Sequence, residues 1–195
     1  MDESKSTDIK LMLQFCNGDE EAFGQLLQRN LQHVLHIIQH FVYSPKDAED
    51  LAQEAFLRVY KARTHYTPDA EFQTWLYRII TNLCINHIRD NKRYSKTYYL
   101  EDEKMISIAD PHQETPSHIL VKTELRQKVK KALCCLPPNQ RIAIILSKYE
   151  NLSYQEIADA MDLSISAVKS LLTRARVNLK KYLLESVSSQ SDLII

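Results

Sequence analysis

The sequence predicts an all-α protein made of two small helical domains joined by a flexible linker. Glycine is rare, with 2 residues in 195, and no long stretch alternates between apolar and polar residues as a half-buried strand does. Instead, most windows carry apolar residues at steps of three and four, which is the spacing of one helix face. A mixed segment containing Pro111, Pro116 and the acidic run Glu101–Glu103 interrupts this pattern and predicts the linker.

The helical pattern divides the chain into four parts: a first domain over residues 1–95, the linker over 96–119, a second domain over 120–185 and a tail over 186–195. We expect the tail to be disordered because serine and glutamine dominate it. In the first domain we predict a frayed polar start over 1–7 and helices over 8–17, 19–42, 46–64 and 70–93. In the second domain we predict helices over 120–136 and 140–149, followed by a short helical pair.

Charge is distributed unevenly, although the chain carries 25 basic and 25 acidic residues and is formally neutral. Counting Lys and Arg against Asp and Glu gives a net charge of −2 for residues 1–95, −3 for residues 96–121 and +5 for residues 122–195. A basic C-terminal part fits contact with phosphate groups, whereas an acidic connector does not bind DNA by itself.

The sequence lacks the usual signals of secretion, membrane insertion and catalysis. No apolar run follows a basic N-terminus, and no stretch approaches the roughly 18 apolar residues of a membrane span, so we expect a cytoplasmic protein. We find no nucleotide-binding loop, no Ser-His-Asp set in a supporting motif and no metal-carboxylate cluster. The sequence therefore predicts neither an enzyme nor a bound cofactor.

Cysteine and histidine positions do not predict a metal site. The cysteines lack zinc-type spacing, and the adjacent pair Cys134 and Cys135 is poorly placed for a disulfide, so reduced core thiols are favoured over a redox role. His33, His36 and His40 include the i, i+4 spacing that can hold a metal ion, but no carboxylate or cysteine joins them in that helix. A solvated or half-buried helix face is the favoured interpretation.

Residues 152–176 read as two short helices around a tight turn. Ser153 and Glu156 form the capping-box pattern of a helix start, Asp162 tolerates the left-handed backbone of a turn, and Ser164 can cap the second helix. Small, polar and cationic residues occupy the outer face and flank of that second helix: Ser166, Ala167, Lys169, Ser170, Thr173, Arg174 and Arg176. Such a face suits insertion into the DNA major groove, although an ordinary antiparallel helical pair with a solvated face has the same spacing.

The predicted helix at 46–64 carries one apolar residue in the centre of its polar face. Projection at about 100° per residue puts Leu57 opposite the apolar face, among charged side chains of both signs. A lone exposed leucine usually has no function, but a leucine within a polar rim also resembles an anchor for a docking helix. The residues alone leave both interpretations open.

One flank of the predicted helix at 70–93 combines cations, asparagines and a tryptophan at steps of three and four: Trp75, Arg78, Asn82, Asn86, Arg89 and Arg93. We call this set the polar stripe. The predicted core positions lie beside it: Phe72, Leu76, Ile79 and Leu83. Cations hold phosphates, asparagines hydrogen-bond base edges and an aromatic ring stacks on an unpaired base, so the polar stripe suits melted nucleic acid. The alternative is a solvated face with a half-buried tryptophan.

Three segments resemble, in the same order, the conserved regions of bacterial sigma factors of the extracytoplasmic-function group: DAEDLAQEAFLRVYKAR, FQTWLYRIITNLCINHIRDNKR and LPPNQRIAIILSKYENLSYQEIADAMDLSISAVKSLLTRAR. The match runs from about Asp19 to Tyr182 and omits the linker and both tails. The resemblance implies a region 2 domain followed by a region 4 helix-turn-helix domain. It also implies a dissociable subunit that directs core RNA polymerase to specific promoters.

The resemblance further implies three sets of contact residues. The set similar to the surface that docks on the clamp helices of the largest polymerase subunit is Asp50, Gln53, Glu54, Leu57 and Arg58. The set similar to the part that opens the minus-ten element and captures a flipped base is Tyr66, Trp75, Arg78, Asn82, Asn86, Arg89 and Arg93. The set similar to the reader of the minus-thirty-five element is Ser166, Lys169, Ser170, Thr173 and Arg174. Leu171 and Thr173 depart from common family patterns, so the preferred promoter sequence cannot be borrowed from a relative.

The expected partners are core RNA polymerase, promoter DNA and an anti-sigma factor, since family members are commonly held inactive by such a protein. A free-standing helix-turn-helix regulator that binds duplex DNA alone is the alternative, but it leaves the polar stripe without a role. Because the basic charge of the second domain is modest, we expect weak binding to free DNA, with polymerase supplying the missing contacts.

Overall fold

The computed structural model describes residues 3–42, 44–68, 71–91, 125 and 127–191. These residues form helices and no β-strand, which confirms the all-α prediction. The helices are α1 (Glu3–Cys16), α2 (Glu20–Phe41), α3 (Pro45–Lys61), α4 (Phe72–Asp90), α5 (127–134), α6 (Pro138–Lys148), α7 (Tyr154–Met161) and α8 (Ile165–Ser191). A 3₁₀ turn, Ala62–Thr64, extends α3. The predicted linker at 96–119 and Arg93 lie outside the described residues.

Side chains near each helix start explain several helix boundaries. The Asp19 carboxylate accepts the backbone N–H groups of Glu21 at 3.0 Å and Ala22 at 3.2 Å at the start of α2. The Ser44 hydroxyl caps α3 in the same way, and Pro45 occupies its first turn. Helix α6 likewise begins on Pro138, because proline lacks only an N–H that the first turn does not use.

Two terminal predictions differ from the structure. Helix α1 begins at Glu3, within the predicted frayed start, and its buried Asp8 carboxylate lies 2.8 Å from Arg29 Nε of α2. This ion pair ties the start of the chain to the neighbouring helix. Helix α8 continues to Ser191, past the predicted start of the disordered tail at 186, because no glycine or proline follows Pro138 to end it.

The first four helices pack around an aromatic and aliphatic core. Phe15 of α1 lies 4.7 Å from Phe23 of α2 and 5.2 Å from Tyr60 of α3, measured between ring centroids. Of the described helices, none is long and apolar enough to cross a membrane.

Helix α4 is buried on two faces rather than one. Of its predicted core positions, Phe72, Leu76 and Leu83 are buried and Ile79 is half-buried. A second buried row, unforeseen from the sequence, follows at steps of four, three and four: Tyr77, Thr81, Cys84 and Ile88. On this side α4 packs against α6 and α7, so the two predicted domains share one continuous hydrophobic core.

The buried Arg141 caps the C-terminal ends of two helices, α5 and α2. Arg141 of α6 is only 4% exposed, and it donates from Nε to the Leu133 carbonyl at 3.1 Å and from Nη2 to the Cys134 carbonyl at 2.6 Å, both at the end of α5. Its Nη1 donates to the carbonyl of Phe41, the last residue of α2, at 3.2 Å. Terminal carbonyls lack helix partners and carry the negative end of the helix dipole, so a cation suits this position.

The cysteine prediction is wrong for one member of the adjacent pair. All four thiols are free, and Cys84 is buried, but Cys134 is half-buried and Cys135 is exposed. Leu133 and Leu136 occupy the inward positions around them, and this leaves Cys135 on the outer side of the chain.

The three histidines of α2 do not converge. His36 and His40 lie with their Nε2 atoms 3.2 Å apart, whereas His33 Nε2 is 3.3 Å from Glu150 Oε2. Among the described residues, no group of three or more His, Cys, Asp or Glu side chains is placed to hold a metal ion.

We expect replacement of Arg141 by methionine to lower the free energy of unfolding by about 2–4 kcal/mol, because buried carbonyls lose a charged donor. Urea denaturation of the full chain measures this. The control is Arg176→Met, whose exposed side chain should change stability by no more than about 0.5 kcal/mol. Equal effects of the two substitutions would contradict the capping role.

Stability should also fall as the pH drops below neutrality. Burial and then the neighbouring His36 lower the pKa of His40 from its ordinary 6.5 to about 4. Between these values the unfolded chain binds a proton that the folded chain does not, so stability falls from about pH 6.5 towards pH 4. The urea midpoint measured against pH should therefore decline less steeply in His40→Gln than in the wild type. The exposed His65→Gln variant should keep the wild-type slope.

Candidate functional site

The outer face of α3 carries one exposed leucine within a polar surround. Six apolar residues of this helix are buried: Ala48, Leu51, Ala52, Ala55, Phe56 and Val59. On the opposite side Leu57 is 45% exposed, and Asp50, Gln53 and Arg58 are exposed around it. Arg58 Nε lies 2.9 Å from Oε1 of the half-buried Glu54. The five predicted polymerase contacts therefore share one accessible helix face.

The polar stripe of α4 also lies at the surface. Its described members are the half-buried Trp75 and the exposed Arg78, Asn82, Asn86 and Arg89. From Trp75 to Arg89 the stripe extends about 21 Å at the helical rise of about 1.5 Å per residue. That length matches a few nucleotides of an extended strand. Cations and amide groups thus face solvent together, as contact with melted nucleic acid requires.

Tyr66, the predicted loop aromatic, is buried rather than displayed. It is 9% exposed, and its ring centroid lies 5.0 Å from that of Trp75 and 6.4 Å from that of Phe72. Burial raises the pKa of its hydroxyl, which has no hydrogen-bond partner among the described residues. In this arrangement the buried Tyr66 ring packs against the half-buried Trp75 ring. The Tyr66 ring would have to turn towards solvent to stack on a base.

The predicted helix-turn-helix is present at residues 154–191. The capping box at the start of α7 joins Ser153 N to Glu156 Oε2 at 2.7 Å and Glu156 N to Ser153 Oγ at 3.2 Å. Asp162 occupies the turn with φ of 55°, in the left-handed region. The Ser164 hydroxyl then accepts the Ala167 N–H at 3.2 Å at the start of α8. Each sequence signal for this motif therefore has its expected local geometry.

The predicted recognition face of α8 is fully accessible. Its five residues are all exposed: Ser166, Lys169, Ser170, Thr173 and Arg174. The Thr173 hydroxyl donates to the Lys169 carbonyl at 2.9 Å, and Arg174 Nε donates to the Ser170 carbonyl at 3.4 Å. Both side chains thus fold back on their own helix.

One contact to this face was missed from the sequence. The Lys169 ammonium lies 5.9 Å from the ring centroid of Tyr154, which is 40% exposed at the start of α7. This cation–π contact favours a lysine conformation directed towards α7. The sequence shows Tyr154 beside the capping box. Its distance to Lys169, however, depends on how α7 and α8 cross.

Comparison with known proteins identifies the family. Residues 26–94 match the family Sigma-70 region 2, and residues 126–179 match the family Sigma-70, region 4. The RNA polymerase sigma-H factor of Pseudomonas aeruginosa is 31% identical over 184 residues, covering 92% of this chain and 95% of the relative. The ECF RNA polymerase sigma-E factor of Escherichia coli K12 is 34% identical over 174 residues, covering 87% and 91%. This chain belongs to the extracytoplasmic-function sigma factors.

Solved structures agree with this assignment. The structure of CnrH in complex with the cytosolic domain of CnrY is similar to this sigma factor with a TM-score of 0.65 and 26% identity, covering 92% of this chain and 98% of CnrH. RpoE of Bartonella quintana, solved with the anti-sigma factor NepR, shares the fold with a TM-score of 0.60 at 24% identity, covering 83% and 96%. The region 2 match covers most of α2 and all of α3 and α4, and the region 4 match covers α5–α7 and the first part of α8.

Proposed function

We propose that this sigma factor binds core RNA polymerase through the outer face of α3 and directs it to promoters through two DNA-reading surfaces. The polar stripe of region 2 opens and reads the minus-ten element, and the exposed face of α8 reads the minus-thirty-five element. The protein acts in the cytoplasm by binding alone, without covalent chemistry of its own. An anti-sigma factor is the partner that controls its access to polymerase.

The observation that carries this proposal is the presence of three separate exposed surfaces on one chain. A free-standing helix-turn-helix regulator needs only the face of α8. It gives no role to Leu57 within its polar rim, nor to a stripe of exposed cations and asparagines on α4. Polymerase binding and strand opening give each surface a role.

The proposal is tested by transcription in vitro. Core RNA polymerase with this protein should start transcripts at a defined set of promoters, which sequencing of the transcripts would reveal. Failure to bind cognate core polymerase would refute it, and tight specific binding to duplex DNA without polymerase would favour the free-standing regulator.

Leu57→Asp should weaken binding to core polymerase by about 10- to 100-fold, since a buried interface anchor is commonly worth about 2 kcal/mol or more. Its stability and helix content should not change, because the side chain is already exposed in the free protein. Fluorescence titration with core polymerase measures the affinity. Leu13→Asp is the matched control, as another exposed leucine on a different helix, and should bind normally. Unchanged affinity of Leu57→Asp would remove the anchor assignment.

Asn82→Ala should impair promoter opening more than formation of the closed complex. Loss of base-edge hydrogen bonds removes about 1–3 kcal/mol, or about 5- to 160-fold in the opening equilibrium. Permanganate reactivity of unpaired thymines reports opening, and gel shift at low temperature reports the closed complex. The control Asn17→Ala removes an exposed amide between α1 and α2 and should affect neither step. A loss of equal size in both steps would argue against a base pocket.

A further inference from the structure

Two histidines near the C-terminal end of α2 meet through the same ring atom. His36 and His40 lie about one helical turn apart, and their Nε2 atoms are separated by 3.2 Å. The ring planes are nearly perpendicular, at 87°, with centroids 4.6 Å apart. Without a metal ion, one Nε2 must carry the proton that the other accepts. Both nitrogens therefore lie within ligand distance of one common point.

The separation of the two nitrogens matches that of two ligands on one metal ion. At the usual zinc–nitrogen distance of about 2.0–2.1 Å, nitrogens 3.2 Å apart subtend an angle of about 99–106° at the metal. This is close to the angle of about 109° in a tetrahedral zinc site. Two histidines at i, i+4 on one helix face also serve as paired zinc ligands in metalloproteases.

The histidine pair is open on one side and packed on the other. His36 is exposed and lines an open hollow together with Gln32 and Gln39, so water can fill the coordination positions that the protein leaves. His40 is half-buried, and its ring centroid lies 4.2 Å from that of Tyr149. This packing restricts rotation of the His40 ring. A ligand that is already held in place loses little conformational freedom when it binds.

The charges around the pair oppose one another. His40 lies in the last turn of α2, where the negative end of the helix dipole favours a cation. The Glu150 carboxylate, 3.3 Å from His33 on the same helix, adds negative charge. The guanidinium of Arg141 acts against a cation, since it bonds the Phe41 carbonyl at the end of α2. Binding therefore depends on direct bonds to nitrogen, which favours ions that bind imidazole strongly.

We propose that His36 and His40 form a bidentate site for one divalent cation that prefers nitrogen ligands, such as Zn²⁺, Ni²⁺ or Cu²⁺. The bound ion takes the place of the proton between the rings and ties the last two turns of α2 together. Mg²⁺ and Ca²⁺ prefer oxygen ligands and do not fit. His33 contributes no ligand, because its Nε2 faces Glu150. The site lies apart from the three proposed contact surfaces and does not depend on the proposed function.

Isothermal titration calorimetry with Zn²⁺ tests the site in the full chain, freed of metal and of any affinity tag. At about pH 7.5, where imidazole is mostly neutral, the wild type should bind one Zn²⁺ per chain. His36→Gln and His40→Gln should each weaken binding at least about tenfold, since loss of even a partner behind a metal ligand costs about 10- to 100-fold. Titration with Mg²⁺ should show no binding.

Two control variants separate this site from other metal-binding groups. His65→Gln removes another exposed histidine, and Cys135→Ser removes the exposed thiol, so both should bind Zn²⁺ like the wild type. Wild-type affinity in His36→Gln would overturn the site, and loss of binding in Cys135→Ser would assign the metal to thiols instead. His36→Gln is the decisive variant, because its exposed side chain can be replaced without loss of the fold, which circular dichroism checks.

Two further measurements identify the ligands and their effect on the helix. Electron paramagnetic resonance of the chain with one equivalent of Cu²⁺ should show coupling to two imidazole nitrogens in the wild type and to fewer in His36→Gln. Saturating Zn²⁺ should slow hydrogen exchange in the last two turns of α2 and leave α3 unchanged. The same nitrogen coupling in both proteins, or exchange in α2 that Zn²⁺ does not alter, would contradict the assignment.

Discussion

The structure depends on the burial of α4 on two sides. One side completes the core of α1–α3 through Phe72, Leu76 and Leu83, and the other receives α6 and α7 around Tyr77 and Thr81. Only a narrow strip of the helix remains for solvent, and the polar stripe occupies it. The helix that carries the polar stripe is thus also the helix on which α6 and α7 rest.

The two sides of α4 differ in chemistry. Apolar side chains fill the region 2 side, where exposure to water would be unfavourable in any functional state. The region 4 side includes a hydroxyl and a phenol bonded to a carbonyl and a carboxylate, groups that water can also satisfy. Cys84 and Ile88 are buried on the same side, so the contact of α4 with α6 and α7 combines apolar packing with these buried hydrogen bonds.

The sequence by itself determined most of the helices, the capping box at Ser153 and the exposure of most described residues in the three predicted contact sets, because period, caps and polarity are local properties. Even there, the helix extensions to Glu3 and Ser191 were missed, since the pairing of Asp8 with Arg29 joins distant segments and serines alone do not end a helix. Only the tertiary structure decided that Tyr66 lies beneath Trp75 and that the regions share a core. Both depend on how the helices cross. The spacing of residues in the sequence does not reveal that the Thr81 hydroxyl bonds to the carbonyl of Ala160, 79 residues away.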